Sequence, residues 1–412
     1  MIELTCARCQ GRFPVGPRFG CPTCREQGRA EPLEPRFQLD GVGPELADAL
    51  ARGPGRRGPD DPGIWRWRAL LPSLGVELTL GEGATPLLRS RRAGPGLGLE
   101  GLLLKYEGAN PTGSFKDRFQ AVSMSVARSL GFERAFCAST GNHGLAAAAY
   151  ARLAGLACLV LLHEESPSAF DEAIADCGAT VARVPAAERD GLMRDLLGAG
   201  WFPATCLAPL PVPNPFGAEG YKTIAYELLE QLGAAPDAVV VPVGAGDGFY
   251  GLAKGFVELA ELGLIARPPP VYAVQPRGAD ALVLAASRAG ADEVAPLDAA
   301  APSAALSIRE AATGGHALRL LRQTGGGAVA VDDAEILAAA ARLAEEPLTV
   351  DVASAASVAG AAALAGRGLL PRTARVVALL TAAGARWPRP ASYPISGRVL
   401  RGAAADVLRL VG

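Results

Sequence analysis

From Ile64 onward, short runs of aliphatic and β-branched residues alternate with Ala/Leu-rich stretches of helical periodicity. The runs "GLLLKY" (101–106), "RAFCAS" (134–139), "ACLVLLH" (157–163), "TVARVP" (180–185), "DAVVVPVG" (237–244), "PVYAVQ" (270–275) and "ARVVALLT" (374–381) are largely apolar along their length. Strands of that kind are buried on both faces, and strands joined through helices pair in parallel. The alternation therefore predicts an α/β fold in which parallel sheets carry helices on both faces.

With 412 residues, half of them apolar, the chain is long enough for two or three domains with sizeable cores. A formal net charge of −2 and the lack of a basic stripe exclude a nucleic-acid binder. No apolar run approaches the roughly 18 residues of a membrane span. The opening "MIELTCARCQ" has no charged region followed by an apolar one, so a cytoplasmic protein is expected.

The cysteines fall into two groups. Cys6, Cys9, Cys21 and Cys24 form "CARC" and "CPTC", with eleven residues between the pairs. Two such pairs can deliver four thiolates to one tetrahedral metal, which predicts a zinc ribbon over residues 1–30 with a structural zinc. A segment this short buries little, so the metal would have to hold it together. Cys137, Cys158, Cys177 and Cys206 lie in apolar surroundings and read as small buried hydrophobes. Residues 31–63 read as a connector, most clearly in the Pro/Gly/Arg-rich "RGPGRRGPDDPG" (Arg52–Gly63).

Among 40 basic residues only Lys105, Lys116, Lys222 and Lys254 are lysines. An amine can act as a nucleophile and a guanidinium cannot, so each lysine is a candidate for covalent chemistry. Lys116 follows the turn formers "NPTGS" at the start of a helical pattern ending near Gly131. The positive end of the helix dipole works against an ammonium there. A second candidate site is "DAVVVPVGAGDGFYGLAKGF" (Asp237–Phe256), where a strand enters a Gly-rich turn before a helix. Backbone N–H groups in that arrangement cradle a phosphate. Its Gly246, Gly248 and Gly251 spell GxGxxG, but the next strand ends in Gln275-Pro276 where a dinucleotide site wants an acid. A smaller cofactor with a single phosphate is therefore preferred. "CASTGNHGLAAAAYARLAG" (Cys137–Gly155) places Ser139, Thr140, Asn142 and His143 at the end of another strand. The terminal strand delivers Thr381 in the same way.

Taken together, "NPTGSFKDR", "STGN", "PVGAGDG" and the strand ending at Thr381 resemble fold type II pyridoxal-phosphate enzymes, and more narrowly the threonine synthase family. "GIWRWRALLPSLGVELTLGEGATPLLRS" (Gly63–Ser90), "NPFGAEGYKT" (Asn214–Thr223) and "DVASAASVAG" (Asp351–Gly360) are similar to further motifs of that family, some members of which carry an N-terminal zinc ribbon. The resemblance implies that Lys116 would bind the pyridoxal 5'-phosphate aldehyde as a Schiff base and later shuttle the substrate's α-proton. Asn142 would meet the ring oxygen, and Gly244, Ala245, Gly246, Asp247 and Gly248 would hold the phosphate through backbone amides. Thr381 would face the pyridine nitrogen, and Ser139 and Thr140 the substrate carboxylate. A hydroxyl at the pyridine nitrogen keeps the cofactor a modest electron sink, which suits loss of a leaving group.

The chain departs from the family pattern at several places. Gly217 occupies the position of an Arg that contacts the substrate's phosphate, and Arg118 and Lys222 are the nearby cations able to replace it. His143 stands where the family usually has Thr, and its "GNHG" is similar to serine/threonine dehydratases and ammonia-lyases of the same fold. Asp351-Val352 replaces a usual Glu-Pro. Asp247 puts a carboxylate into the phosphate loop, where it is expected to point away or cap the following helix.

The resemblance thus implies a carbon–oxygen lyase with threonine-synthase-like elimination and replacement, on O-phosphohomoserine or a related amino acid, with Lys116 and His143 as catalytic residues. A β-eliminating dehydratase or diaminopropionate ammonia-lyase is the alternative, and a non-catalytic scaffold is the second. The expected organisation is a large cofactor-binding domain from 64–110 and 229–412, a small domain over 111–228, and a homodimer without nucleic-acid or membrane partners.

Overall fold

The computed structural model describes residues 2–29, 31–51, 60–205, 214–298, 300–310, 314–346 and 348–387. The chain begins with β1 (Ile2–Thr5), β2 (Arg12–Pro14) and β3 (Glu34–Phe37), an antiparallel sheet in which β1 pairs with both others. β3 and the helix Val42–Ala51 both lie within 31–63. The four-cysteine segment thus recruits β3 to complete its sheet, burying Leu4, Leu33 and Phe37. Most of the Pro/Gly/Arg-rich stretch, residues 52–59, lies outside the described residues, as does Cys206.

β4 (Leu87–Arg89) and β5 (Leu103–Tyr106) come next. The chain then builds a second sheet from β6 (Arg134–Ser139), β7 (Ala157–His163), β8 (Thr180–Val184) and β9 (Phe202–Pro203). It returns through β10 (Ala238–Pro242), β11 (Val271–Pro276), β12 (Ala328–Val331) and β13 (Val376–Leu380). The larger sheet has the order β12-β11-β10-β13-β5-β4, parallel except for the antiparallel edge strand β4. The smaller one, β8-β7-β6-β9, is parallel throughout. Each residue of β10 and β13 is buried, as expected of central strands covered on both faces.

The helix Lys116–Ser129 is anchored from its first turn. Arg118 is fully buried and donates to Glu107 at 2.7 Å through Nε and to Glu227 at 2.7 Å through Nη1. Glu227 also accepts from Lys105 at 2.8 Å and from the Ala84 N–H at 2.8 Å. Burial opposes the Glu227 charge, but Arg118 and Lys105 outweigh it and hold the carboxyl well below its usual range. Glu107 and Lys105 belong to the end of β5 and the turn after it, so this network ties the large sheet to the helix that carries Lys116.

Candidate functional site

One cavity collects the strand ends of both sheets. Its wall includes Lys116, the Ala138–Thr140 end of β6, Asn142 and His143, the loop Val243–Gly248 after β10, and Thr381 and Ala382 at the end of β13, with Asp351, the cap of the helix Val352–Gly366, beside them. Four segments far apart in the chain meet there: all the cofactor and substrate residues expected from the sequence line this one space.

The turn before Lys116 is stitched to the end of β13. Phe115 N–H donates to Thr381 O at 2.9 Å and Ala383 N–H to Gly113 O at 2.9 Å. Lys116 is then the first residue of its helix. Ser139 turns its hydroxyl onto the following loop, accepting from Gly141 N–H at 2.8 Å and Gly144 N–H at 2.9 Å, and so shapes the start of the helix Asn142–Ala154. Asn142 opens that helix on the cavity wall.

After Pro242 the chain enters the glycine loop, and the helix Asp247–Glu261 begins behind it. Gly246 is its N-cap, with φ of 97°, a backbone region closed to most side chains. A Cβ on Gly248 would lie 2.6 Å from the Phe115 ring. The loop therefore brings close-packed backbone to a helix N-terminus, the arrangement that receives a phosphate. At the far wall, the Thr381 and Ser354 hydroxyls are 3.0 Å apart. Ser354 is positioned in turn because Asp351 caps its helix, accepting from Ser354 N–H at 2.7 Å. Burial pushes the Asp351 carboxyl up to about 6. An amine, an amide, a paired hydroxyl and a glycine-rich loop at a helix N-terminus form a donor set that fits pyridoxal phosphate.

Asp247 departs from expectation. Its carboxylate neither points away nor serves as the N-cap; Oδ2 lies 3.1 Å from Lys116 Nζ and accepts from the Tyr221 hydroxyl at 3.2 Å. Burial favours the neutral acid, but the Lys116 ammonium and His143 beside it prevail and hold the carboxyl at about 2. The reason lies in the turn: with Gly246 as cap, residue 247 is already helical and faces inward across the cavity to the lysine.

His143 packs edge-on against Phe119 with ring centroids 4.7 Å apart, and its Nε2 is enclosed without a hydrogen-bond partner among the described residues. Burial, with Lys116 adding to it, pushes its imidazolium down to about 3, so the ring is neutral at ordinary pH. Gly217 lies under Phe119, where a Cβ would come within 2.4 Å of the ring. No side chain enters the site from that position without moving Phe119.

The two cations named as replacements are committed elsewhere. Arg118 is held in the buried network described above, and Lys222 is fully buried between Glu219 at 2.7 Å and Glu258 at 3.0 Å. Neither lines the cavity. Arg189, from the helix Ala186–Gly198, does line it, as does Glu310, whose carboxyl burial pushes up. Sequence reasoning passed over both, and over Tyr221. No local motif marks Arg189 or Glu310, which reach the site only through tertiary packing; Tyr221 lies within the "NPFGAEGYKT" motif, whose sequence does not show that its hydroxyl meets Asp247.

Comparison with known proteins agrees with this geometry. The family described as "Pyridoxal-phosphate dependent enzyme" matches residues 78–382. The chain belongs to that family. The threonine synthase of Methanocaldococcus jannaschii is 37% identical over 331 residues, 79% of this chain and 81% of that protein. The threonine synthase of Methanosarcina acetivorans is 36% identical, over 78% of this chain and 79% of that one. In fold, the chain matches the processed form of threonine deaminase isoform 2 from Solanum lycopersicum, with a TM-score of 0.62, 20% identity, and coverage of 84% of this chain and 90% of that one. Maize serine racemase gives a TM-score of 0.61 at 21% identity, covering 73% and 88%. The fold is thus that of the type II pyridoxal-phosphate enzymes, and the protein is a pyridoxal-phosphate-dependent lyase.

The cysteine cluster stands apart from this cavity. The four sulfur atoms lie within 4.8 Å of one another, with Cys6–Cys24 at 3.8 Å and Cys9–Cys21 at 3.5 Å. Disulfide sulfurs are about 2.05 Å apart, whereas a tetrahedral zinc with bonds of about 2.3 Å separates its sulfurs by about 3.8 Å. The cluster fits a zinc ion. The scattered Cys137 and Cys158 are buried, and burial pushes the Cys158 thiol up to about 12, in keeping with inert core residues.

Proposed function

We propose that the protein catalyses elimination and replacement on an amino acid in the manner of a threonine synthase, taking O-phosphohomoserine to threonine and phosphate or acting on a close relative of that substrate. The observation that carries this reading is the meeting of Lys116, Asn142, the glycine loop and Thr381 around one cavity in a chain 37% identical to a threonine synthase. Lys116 would hold the cofactor covalently, the amides of Gly244–Gly248 its phosphate, Asn142 the ring oxygen and Thr381 the pyridine nitrogen. Bound pyridoxal phosphate supplies an electron sink for the substrate's α-carbon.

The chain's own residues then divide the work. The released Lys116 amine takes the α-proton and returns it. Ser139 and Thr140, on the loop that the Ser139 hydroxyl shapes, would receive the substrate carboxylate. His143, held neutral with Nε2 enclosed, would contribute by hydrogen bonding and shape rather than by carrying a proton.

The test is a product assay on holo-protein with O-phospho-L-homoserine, following phosphate and threonine by mass spectrometry. Both products are expected; neither appearing from protein with intact cofactor absorbance would overturn the threonine synthase reading. Simple β-elimination is the second reading, favoured by Phe119 and His143 filling the space beside Gly217. Release of a 2-oxo acid and ammonia from serine, threonine or diaminopropionate would establish it.

Three further readings accompany this one. Sulfur spacing supports a structural zinc on Cys6, Cys9, Cys21 and Cys24; metal analysis finding no zinc in protein prepared without chelator would remove it. The two sheets support a large domain of 64–110 with 229–412 and a small one of 111–228, with the site between them. Family resemblance supports a cytoplasmic homodimer, which sedimentation of the purified protein would check for assembly. No helix among the described residues is long and apolar enough to cross a membrane.

A further inference from the structure

A carboxylate in a phosphate-binding loop calls for a physical account. Asp247 is not needed to cap its helix, because Gly246 holds that position. Its side chain is buried against the reacting amine: Oδ2 is 3.1 Å from Lys116 Nζ, and Tyr221 Oη donates to the same oxygen at 3.2 Å. The ring centroids of Phe115 and Tyr221 lie 4.7 and 5.4 Å from Nζ. The lysine thus ends in a box with two aromatic rings and a single carboxylate. Nζ has no other hydrogen-bond acceptor among the described residues.

We propose that Asp247 is a positioning residue for Lys116, holding Nζ through a charge-assisted hydrogen bond whenever the amine carries the proton taken from the substrate's α-carbon. The inference rests on the reading that Lys116 moves that proton. In the step, the Cα–H bond breaks and its electron pair stays with the substrate, while an N–H bond forms at Nζ. Nothing is oxidised or reduced. The resulting ammonium is balanced by the Asp247 carboxylate. Lys116 holds that carboxylate ionised at about 2 despite its burial, so Asp247 accepts a hydrogen bond and does not carry the proton itself. Tyr221, part of the turn Gly217–Tyr221, fixes the carboxylate in its orientation. The same turn that lacks a side chain at Gly217 therefore serves the lysine.

The experiment uses holo-protein of the wild type, Asp247→Asn and Asp247→Ala. Cofactor content is read from visible absorbance. Exchange of the α-hydrogen with D2O is followed by mass spectrometry for O-phosphohomoserine, serine and threonine, and the isotope effect is measured with α-deuterated substrate. A hydrogen bond to a charged group of this kind is worth about tenfold to a hundredfold in rate. Both variants are expected to keep the cofactor, to exchange more slowly by about that factor, and to show a larger isotope effect because proton removal has become limiting. A purely structural role would not raise the isotope effect. Exchange within about twofold of wild type in both variants, or loss of cofactor in step with exchange, overturns the proposal alone. Wild-type protein that holds its cofactor yet exchanges no α-hydrogen overturns both this proposal and the functional reading on which it rests.

Discussion

Lys116 and Arg118 sit two residues apart on the first turn of one helix, and both are paired with carboxylates, yet they have opposite uses. Arg118 is saturated: Glu107, Glu227, Thr223 and Thr85 accept from its three nitrogens, and no part of it reaches water. Lys116 has one carboxylate partner and faces the cavity. A planar fork with five donors suits a fixed junction, whereas a single amine on a flexible stem suits bond making. The difference teaches that a buried ion pair marks function only where its partners leave capacity for a ligand.

Replacing each cation breaks the comparison in a different way. Lys116→Ala should cause the largest loss, removing the cofactor's visible absorbance and all turnover while leaving the thermal unfolding midpoint within a few degrees. An unchanged band would remove Lys116 from the chemistry. Arg118→Ala should act on the fold, because Glu107 and Glu227 would be left as uncompensated buried charges. Breaking such a pair typically costs about 3–5 kcal/mol, measurable by denaturant unfolding. Arg118→Lys should recover little of this, since one ammonium cannot serve two carboxylates and two hydroxyls at once. A variant at Arg118 with wild-type stability but no activity would reverse the assignment.

The sequence made this contrast only half legible. The strands, the Lys116 turn, the glycine loop and the end of β13 were readable because each is a local pattern: an apolar run, a set of turn formers, a glycine cluster. Lys116 stood out by residue type. Arg118 did not, because its partners Glu107 and Glu227 lie 11 and 109 residues away and meet it only through packing. The same reason hid Arg189, Glu310 and the partner of Tyr221, and made Arg118 and Lys222 look available when both are enclosed. Asp247 was visible as an anomaly, but its direction depends on Gly246 taking the cap. At the N-terminus, the Cys spacing announced the four-thiol cluster, whereas β3 was concealed in a stretch with only four strand residues.

Between the two cations lies Asp117, which sharpens the comparison through pH. Asp117 is fully buried and accepts from Thr112 N–H at 3.1 Å and Thr112 Oγ1 at 2.9 Å through one oxygen, while the other has no partner among the described residues. Burial pushes its carboxyl up to about 8. The folded state therefore holds a proton that the unfolded state has released, and this contribution is lost as pH rises from about 4 to about 8. His143 works in the opposite sense. Its imidazole is held down at about 3, so the unfolded state binds the extra proton, and stability is lost as pH falls from about 6.5 toward 3. Each slope is at most about 1.4 kcal/mol per pH unit. Where the windows overlap the two oppose each other; between about 6.5 and 8 only the Asp117 slope of this pair acts. Asp117→Asn should flatten the fall in stability above about pH 6.5 relative to wild type, and His143→Gln should flatten the loss below it. Unfolding free energies measured for the three proteins from pH 4 to 8 separate these terms, since contributions common to all three cancel in the differences. Parallel curves for wild type and Asp117→Asn would show that the Asp117 carboxyl is ionised in the folded protein. The helix start would then carry one more buried anion beside Lys116 than its hydrogen bonds suggest.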